Sequence, residues 1–434
     1  VGQGVLNSLL ADAGLRDDPA LGLMMGEVPL ADIAERAGTP TYAYHATAIR
    51  ERYAALDAAF GTLPHRICYA VKANGNLAVL RLLANLGAGA DIVSGGELLR
   101  AIAAGFPPDR IVFSGVGKTD EELLAALTVG VGHINVESLA ELRRLAILAE
   151  LQGVEVTVGV RINPDVTADT HPYISTGTGG LKFGIATDQF ADALAILDDA
   201  SHLTLGAIAM HLGSQITDAK PWVAGLERLL MLLDVARDAG HSPTTLDIGG
   251  GLGIRYHDES PLAPADWIAP LAKMIAASGC TVQVEPGRYL VGAAGVLLTS
   301  VVHRKASGGR EIAIVDAGMN DLLRPSLYRA WHEIVPVKQT PGTVLDTDIV
   351  GPVCETGDFL ALARPLAPVA AGGVLAVLGA GAYAFAMSSN YNSRARAAEV
   401  LVEGNRWAVV RPRERLVDLY RDELADPFAL TEAP

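Results

Sequence analysis

The 434-residue chain is short of cysteine, of positive charge and of unbroken hydrophobic sequence, and each shortage removes a class of protein. Its three cysteines, Cys68, Cys280 and Cys354, are an odd number with neither framework spacing nor a paired metal-type motif. That argues against a disulfide scaffold and a metal module, and for a reducing, cytoplasmic setting. Lys and Arg number 34 against 49 Asp and Glu, a net charge of −15. Nucleic acid and anionic membrane surfaces call for basic patches, so neither is expected as a partner. The longest apolar stretch, residues 372–387, is interrupted by glycines and reads as strands and a turn, not as a membrane span. Residues 1–15 hold no basic residue and no signal-like apolar core.

What is present is a rhythm. Eight short runs rich in Val, Ile and Leu, at 67–71, 90–93, 111–114, 133–136, 156–162, 205–211, 245–248 and 281–284, are each followed by a helical or turn-rich stretch. Helical spacing of apolar residues is clearest at 77–86, 121–127, 138–151 and 222–239. Alternation of this kind signals parallel βα units, and eight repeats suggest a closed (βα)8 TIM-type barrel over residues 45–291. An open doubly wound sheet shares the periodicity, but chemically unusual residues gather where these runs end, the face on which barrel enzymes work. Beyond 291 the pattern becomes β-branched segments without long helices, at 296–303, 311–316, 359–362, 374–378, 400–402 and 407–410. Residues 292–434, joined by 1–44 through the strand-like 39–44, are expected to form an antiparallel β-sandwich or barrel-like domain.

The run-end residues suggest one chemistry. Lys72 closes the apolar run Tyr69-Ala-Val-Lys-Ala-Asn74 and is expected to point away from water. A lysine so placed is a candidate Schiff-base former, though a strand-end lysine can also reach solvent along its stem. Ser214 and the triplet Gly249-Gly250-Gly251 can offer a hydroxyl and backbone N–H groups to a phosphate. Glu285, in Glu285-Pro286-Gly287-Arg288, can hold a pyridine nitrogen protonated, and His211 can lay its ring on a flat cofactor. No single element is specific, but together they describe a pyridoxal 5'-phosphate site.

The runs Tyr69-Ala-Val-Lys-Ala-Asn74, His211-Leu-Gly-Ser-Gln215, Gly249-Gly-Gly-Leu-Gly253, Glu285-Pro-Gly-Arg288, Cys354-Glu-Thr-Gly-Asp358 and Gly381-Ala-Tyr383 resemble the alanine-racemase-type, fold type III pyridoxal-phosphate decarboxylases. Within these the chain is most similar to the diaminopimelate decarboxylases, over about residues 40–419 and in the same motif order, including 161–165, 171–177 and 182–184. The resemblance implies decarboxylation of meso-2,6-diaminopimelate to L-lysine and CO2, the last step of lysine biosynthesis. It implies that Lys72 holds the cofactor, His211 stacks on it and Glu285 pairs with its ring nitrogen. Asp91 would lie nearby, and Ser214, Gly249 to Gly251, Gly287, Arg288 and Tyr383 would line the phosphate and substrate. It assigns the acid that reprotonates Cα to Cys354, given across a homodimer interface to the partner's barrel; on residue type alone Cys354 reads as a small buried apolar group.

Diaminopimelate carries an ammonium and a carboxylate at its far end. Glu355 can take the first, and Arg288, Arg324 and Tyr328 the second. In the similar ornithine decarboxylases the residue after the cysteine is aspartate, so Glu355 with Arg324 argues against ornithine or lysine as substrate. Glu285 argues against a racemase, and the chain beyond the barrel against a non-catalytic cofactor carrier. Two departures from the family pattern are a charge-poor loop at 177–182 and Ala395 where proline is usual.

Overall fold

Eight parallel strands, His65–Ala70, Gly89–Ile92, Ile111–Phe113, His133–Val136, Val156–Asn163, Leu203–Ala209, Thr245–Asp247 and Thr281–Val284, pair in chain order, and the last pairs with the first. The sheet therefore closes into the expected barrel, in a computed structural model that describes residues 2–166, 177 and 182–424. Strands covered on both faces read as continuous apolar runs, which is why periodicity found all eight. The strand residues Asp91, His133, Asn135, Asp247 and Gln283 are polar and buried all the same. Gly159 makes room for one of them, since a Cβ there would collide with the Asn135 side chain.

The intervening helices start and stop on sequence signals. Asn76, Ser94, Thr119 and Ser138 cap the N-termini of Leu77–Asn85, Gly95–Ala104, Asp120–Val129 and Leu139–Gln152 with their side-chain oxygens. Gly105, Gly130 and Gly153 close the last three in the left-handed conformation that glycine adopts without penalty. Thr119 and Glu122 form a reciprocal capping box, and the other Glu122 oxygen accepts the Gly95 N–H at 2.7 Å. One carboxylate thus satisfies donors at two helix starts.

A second unit is made from the chain up to Ala48, Tyr256–Asp258 and the chain from Ala293 onward, while the barrel unit holds Ile49–Arg255 and Glu259–Gly292. Its main sheet has nine strands, with Gly295–Ser307 as the spine, pairing with Thr41–His45, Arg310–Val315 and Val374–Val377. Of the 39–44 run, residues 41–44 lie in the strand Thr41–His45 of this sheet. The sheet is mixed: Arg310–Val315 runs parallel to Leu345–Val350, and Thr41–His45 parallel to Ala398–Glu403. Parallel neighbours need long connections, and here the intervening chain is residues 316–344 in one case and the whole barrel in the other. Leu30, Ile33, Leu298, Ala376 and Val400 fill the core on one side of this sheet. The N-terminal strands Leu15–Asp18, Gly22–Met25 and Val28–Pro29 form a small sheet that the apolar pattern did not announce. Of the stretch 372–387 only Val374–Val377 is strand; Gly379 takes φ +67° and the chain turns. Among the described residues no helix is long and apolar enough to cross a membrane.

The capping box makes a stability prediction. Thr119→Ala removes the side-chain acceptor at this helix start and should lower unfolding free energy by about 1 kcal/mol in urea titrations, without changing any ligand-dependent property.

Candidate active site

Lys72 lies in a single 3-10 turn, Val71–Ala73, just after the first barrel strand stops at Ala70. The expectation that it points away from water is corrected: its side chain is 34 % exposed, and Nζ donates to Asp91 Oδ2 at 2.8 Å. The burial is carried by the partner. Asp91 sits inside the second strand, fully enclosed, and its Oδ1 has no hydrogen-bond partner. A turn replaces strand geometry after Ala70, so alternation no longer dictates where the lysine faces.

The remaining barrel candidates form a chain of contacts. His211 follows the sixth strand, and its Nδ1 accepts the Gly250 N–H at 3.1 Å. That bond requires an unprotonated Nδ1, and burial, then the Arg161 and Lys72 charges, hold the imidazole well below its usual range. His211 is a neutral ring with its remaining proton on Nε2. Gly249 and Gly251 have φ of +69° and +104°, and a Cβ on Gly249 would fall 2.6 Å from the Met210 carbonyl oxygen. A Cβ on Gly250 would run into the Glu285 carbonyl, so this turn admits no side chain. Arg288 is buried after the eighth strand, and its Nε and Nη2 donate to Ser214 Oγ at 3.3 and 2.9 Å. Gly287 precedes it at the head of the short Arg288–Val291 turn.

Glu285 is buried, and its Oε1 has no partner. Burial, the Asp247 and Asp91 charges and a hydrogen bond to Asp247 push its carboxyl well above the usual range, with Lys72 opposing. Its protonated form is therefore favoured over the carboxylate in the free protein.

On the sheet unit, Cys354 is an exposed free thiol, not the buried apolar residue that its type suggests. Its N–H donates to Asn392 Oδ1 at 2.9 Å, and a hydrogen bond from Tyr391 to the exposed Glu355 raises the Tyr391 phenol. Asp358 accepts the Met319 and Val353 N–H groups, each at 2.6 Å, and so pins the turn that presents both. Arg324 is buried with its guanidinium carbon 4.7 Å from the centre of the Tyr256 ring, and Tyr328 is half-buried at the end of the same short helix, Arg324–Tyr328. Tyr383 has φ +53°, a left-handed backbone that a bulky residue rarely adopts.

The structure thus joins Lys72 to Asp91, His211 to Gly250 and Ser214 to Arg288 in the barrel, and Cys354 to Asn392 and Glu355 to Tyr391 in the sheet unit. Residues 167–176 and 178–181, with His171 and Tyr173 of the motif and most of the 177–182 loop, lie outside the described residues. Three barrel residues were not found from sequence. Arg161 is paired with Glu137 at 2.8 Å, and Asp247 stands two residues before the glycine triplet. Glu97 accepts the Val93 N–H at 2.8 Å and near Lys72 and Asp91 is pushed to about 7, chiefly by burial. Its signal was local: a serine three residues earlier, as in a capping box.

Comparison with known proteins places this geometry. The family described as "Pyridoxal-dependent decarboxylase, pyridoxal binding domain" matches residues 46–292. The diaminopimelate decarboxylase of Pseudomonas aeruginosa is 50 % identical over 396 residues, 91 % of this chain and 95 % of that protein. Among solved structures, diaminopimelate decarboxylase from Helicobacter pylori complexed with L-lysine is 37 % identical, with a TM-score of 0.88, covering 91 % of this chain and 99 % of that one. The enzyme from M. jannaschii in co-complex with L-lysine is 32 % identical, with a TM-score of 0.91, covering 96 % and 99 %.

The raised Glu97 carboxyl has a sign that can be checked. The unfolded chain releases this proton near 4.5, the ordinary glutamate value, and the folded one only at about 7, so folding is disfavoured as pH rises between the two. Glu97→Gln should flatten the fall in unfolding free energy of the cofactor-free protein across pH 4.5 to 7, measured by urea titration at several pH values.

Proposed function

The chain belongs to the pyridoxal-dependent decarboxylases, and from that premise we propose that it removes the Cα carboxylate of meso-2,6-diaminopimelate to give L-lysine and CO2, the last step of lysine biosynthesis. The observation that carries the cofactor is Glu285 Oε1, a buried acceptor without a partner in the same barrel as Lys72. Together with a glycine turn closed to side chains and the Arg288–Ser214 pair, it fits pyridoxal phosphate. The substrate rests on the similarity to diaminopimelate decarboxylases, two of them solved with L-lysine.

Bound here, the cofactor supplies the electron sink for the pair left when the Cα–carboxylate bond breaks. Lys72 Nζ would hold it covalently, and Asp91 keeps that amine at the strand end. Glu285 would accept the ring N–H through Oε1, the positive charge at that nitrogen offsetting the burial that disfavours its carboxylate. His211, neutral, would lie flat on the ring without adding charge to it. Ser214, the 249–251 turn, Gly287 and Arg288 would receive the phosphate, with Tyr383 as a further candidate.

Cys354, an exposed thiol, would deliver the proton to Cα. Arg324 and Tyr328, with Arg288, would hold the distal carboxylate, and Glu355 the distal ammonium. We place the site across a homodimer, with Cys354 and Glu355 serving the partner's barrel, and the protein in the cytoplasm, a reading that its unpaired cysteines favour.

Lysine and CO2 release from purified, cofactor-loaded protein tests this. Stoichiometric lysine from the meso isomer supports the proposal; turnover of ornithine or lysine instead would overturn the roles of Glu355 and Arg324. Lys72→Ala should abolish turnover, and Arg324→Ala should raise KM for diaminopimelate about 10- to 100-fold, the loss expected for a hydrogen-bonded charge. Mixing inactive Lys72→Ala with inactive Cys354→Ala should restore about a quarter of wild-type activity if sites are shared in a dimer; no recovery would place each site within one chain.

A further inference from the structure

We propose that Asp247 is a positioning residue that fixes Glu285 for the pyridine nitrogen and ties that contact to the glycine turn that receives the phosphate. This rests on the pyridoxal-phosphate reading of the same site. Asp247 ends the seventh barrel strand and is 1 % exposed, yet it carries no cation as partner among its hydrogen bonds. Its Oδ1 accepts the Gly249 N–H at 2.9 Å, the first amide of the glycine turn. Its Oδ2 accepts from Gln283 Nε2 at 2.8 Å and from Asn135 Nδ2 at 3.4 Å. Gln283 stands two residues before Glu285 on the neighbouring eighth strand, so the same side chain is held by the strand that carries Glu285.

Three N–H donors hold one carboxyl in place, and the Glu285 carboxyl is hydrogen-bonded to it. A terminal carboxyl rotates freely unless something engages it. With Asp247 engaged, Glu285 is left presenting Oε1 as the atom without a partner. The Glu285 N–H also donates to the Gly249 carbonyl at 2.9 Å, so turn and carboxyl are tied at both ends. A phosphate that settles in the turn and a ring nitrogen that meets Glu285 are thus set at a fixed separation by one buried aspartate. Charged and titratable groups facing this pair are Asp91, Lys72 and Cys68, with Gln283 and Asn135 neutral.

The test compares wild type with Asp247→Asn, Glu285→Gln and the double variant by three readouts: melting of the cofactor-free protein, the dissociation constant for added pyridoxal phosphate, and the pH titration of the bound cofactor's absorbance. Asp247→Asn should weaken cofactor binding about 10-fold or more, the loss of a hydrogen bond to a charged group, and displace the absorbance titration. In the Glu285→Gln background the same change should have little further effect, since Asp247 acts through Glu285. If Asp247→Asn binds and titrates as wild type does, or if its effect multiplies unchanged with that of Glu285→Gln, the role is only structural and the inference is wrong. Should Asp247→Asn not fold, Gln283→Met, which removes one anchor at similar volume, is read the same way: wild-type affinity and titration overturn the inference, and a weaker, displaced response supports it. A wild-type protein that takes up no cofactor at all overturns the site reading itself, whereas normal uptake with an indifferent Asp247 overturns only this step.

Discussion

Three carboxyls, Asp91, Asp247 and Glu285, share the buried end of one barrel, and the site follows from how each is stabilised without water. A carboxylate removed from solvent loses several kcal/mol of solvation unless it is paired, hydrogen-bonded or protonated. Each of the three uses a different answer. Asp91 takes the Lys72 ammonium, Asp247 takes three N–H donors, and Glu285 takes a proton. The consequence is an ordered set of polar groups: a lysine held at the rim, a glycine turn held at one side, and an acid whose charge waits on a ligand. Removing the charge from any one changes the field on the other two, because the interior screens little.

The same logic extends around the barrel. Lys118 is almost fully buried, and it donates to Glu141 at 2.6 Å and to the carbonyls of Gly115 and Asn135. Glu137 accepts from Arg161 at 2.8 Å and from the Gly115 and Gly184 N–H groups. Arg161, fixed in this way, is one of the charges that keep His211 neutral. In the proposed site, an uncharged imidazole beside the cofactor would leave Glu285 as the group that sets charge at the pyridine nitrogen. The buried pairs thus position Arg161 so that its charge acts on the imidazole; that they also stabilise the fold does not follow, since buried ion pairs often do no better than apolar packing.

Much of this was legible in the sequence, for physical reasons that differ by residue. The barrel strands were readable because burial on both faces leaves unbroken Val, Ile and Leu runs, and Thr119, Ser138 and Gly130 mark helix ends by chemistry that acts within four residues. The family was readable because the motifs stand in order along most of the chain. Lys72 differs from expectation because the apolar run that it closes suggests burial, whereas the strand ends at Ala70 and the lysine stands in a turn. Asp247 carries no local mark, and Arg161 stands in the 161–165 motif without a role, because their partners lie far off along the chain: Asp247 meets Asn135 across 112 positions and Arg161 meets Glu137 across 24. An aspartate at a strand end looks like any other until those partners are known. The mixed sheet escaped for a related reason, since parallel pairing between 41–45 and 398–403 leaves no local mark.

The sheet unit shows the limit of periodicity most clearly. Cys354, Glu355 and Tyr383 sit on turns, where neither a period of two nor one of 3.6 says which way a side chain faces. What fixes them is tertiary: Asp358 gathers two backbone N–H groups beneath the Cys354 turn, and Asn392 holds the Cys354 amide while itself lying in the left-handed region at φ +56°. Tyr383 adopts a similar backbone two residues after Gly381, and a Cβ on the adjacent Gly295 would run into that glycine. Non-glycine residues held there cost of order 1–3 kcal/mol each, so they persist only where the surroundings over-determine them. A stable sheet does not require an aromatic residue in a left-handed turn; glycine would serve at lower cost. That a tyrosine stands there instead is the argument for selection on its side chain, the kind of signal that becomes readable only after the backbone is known.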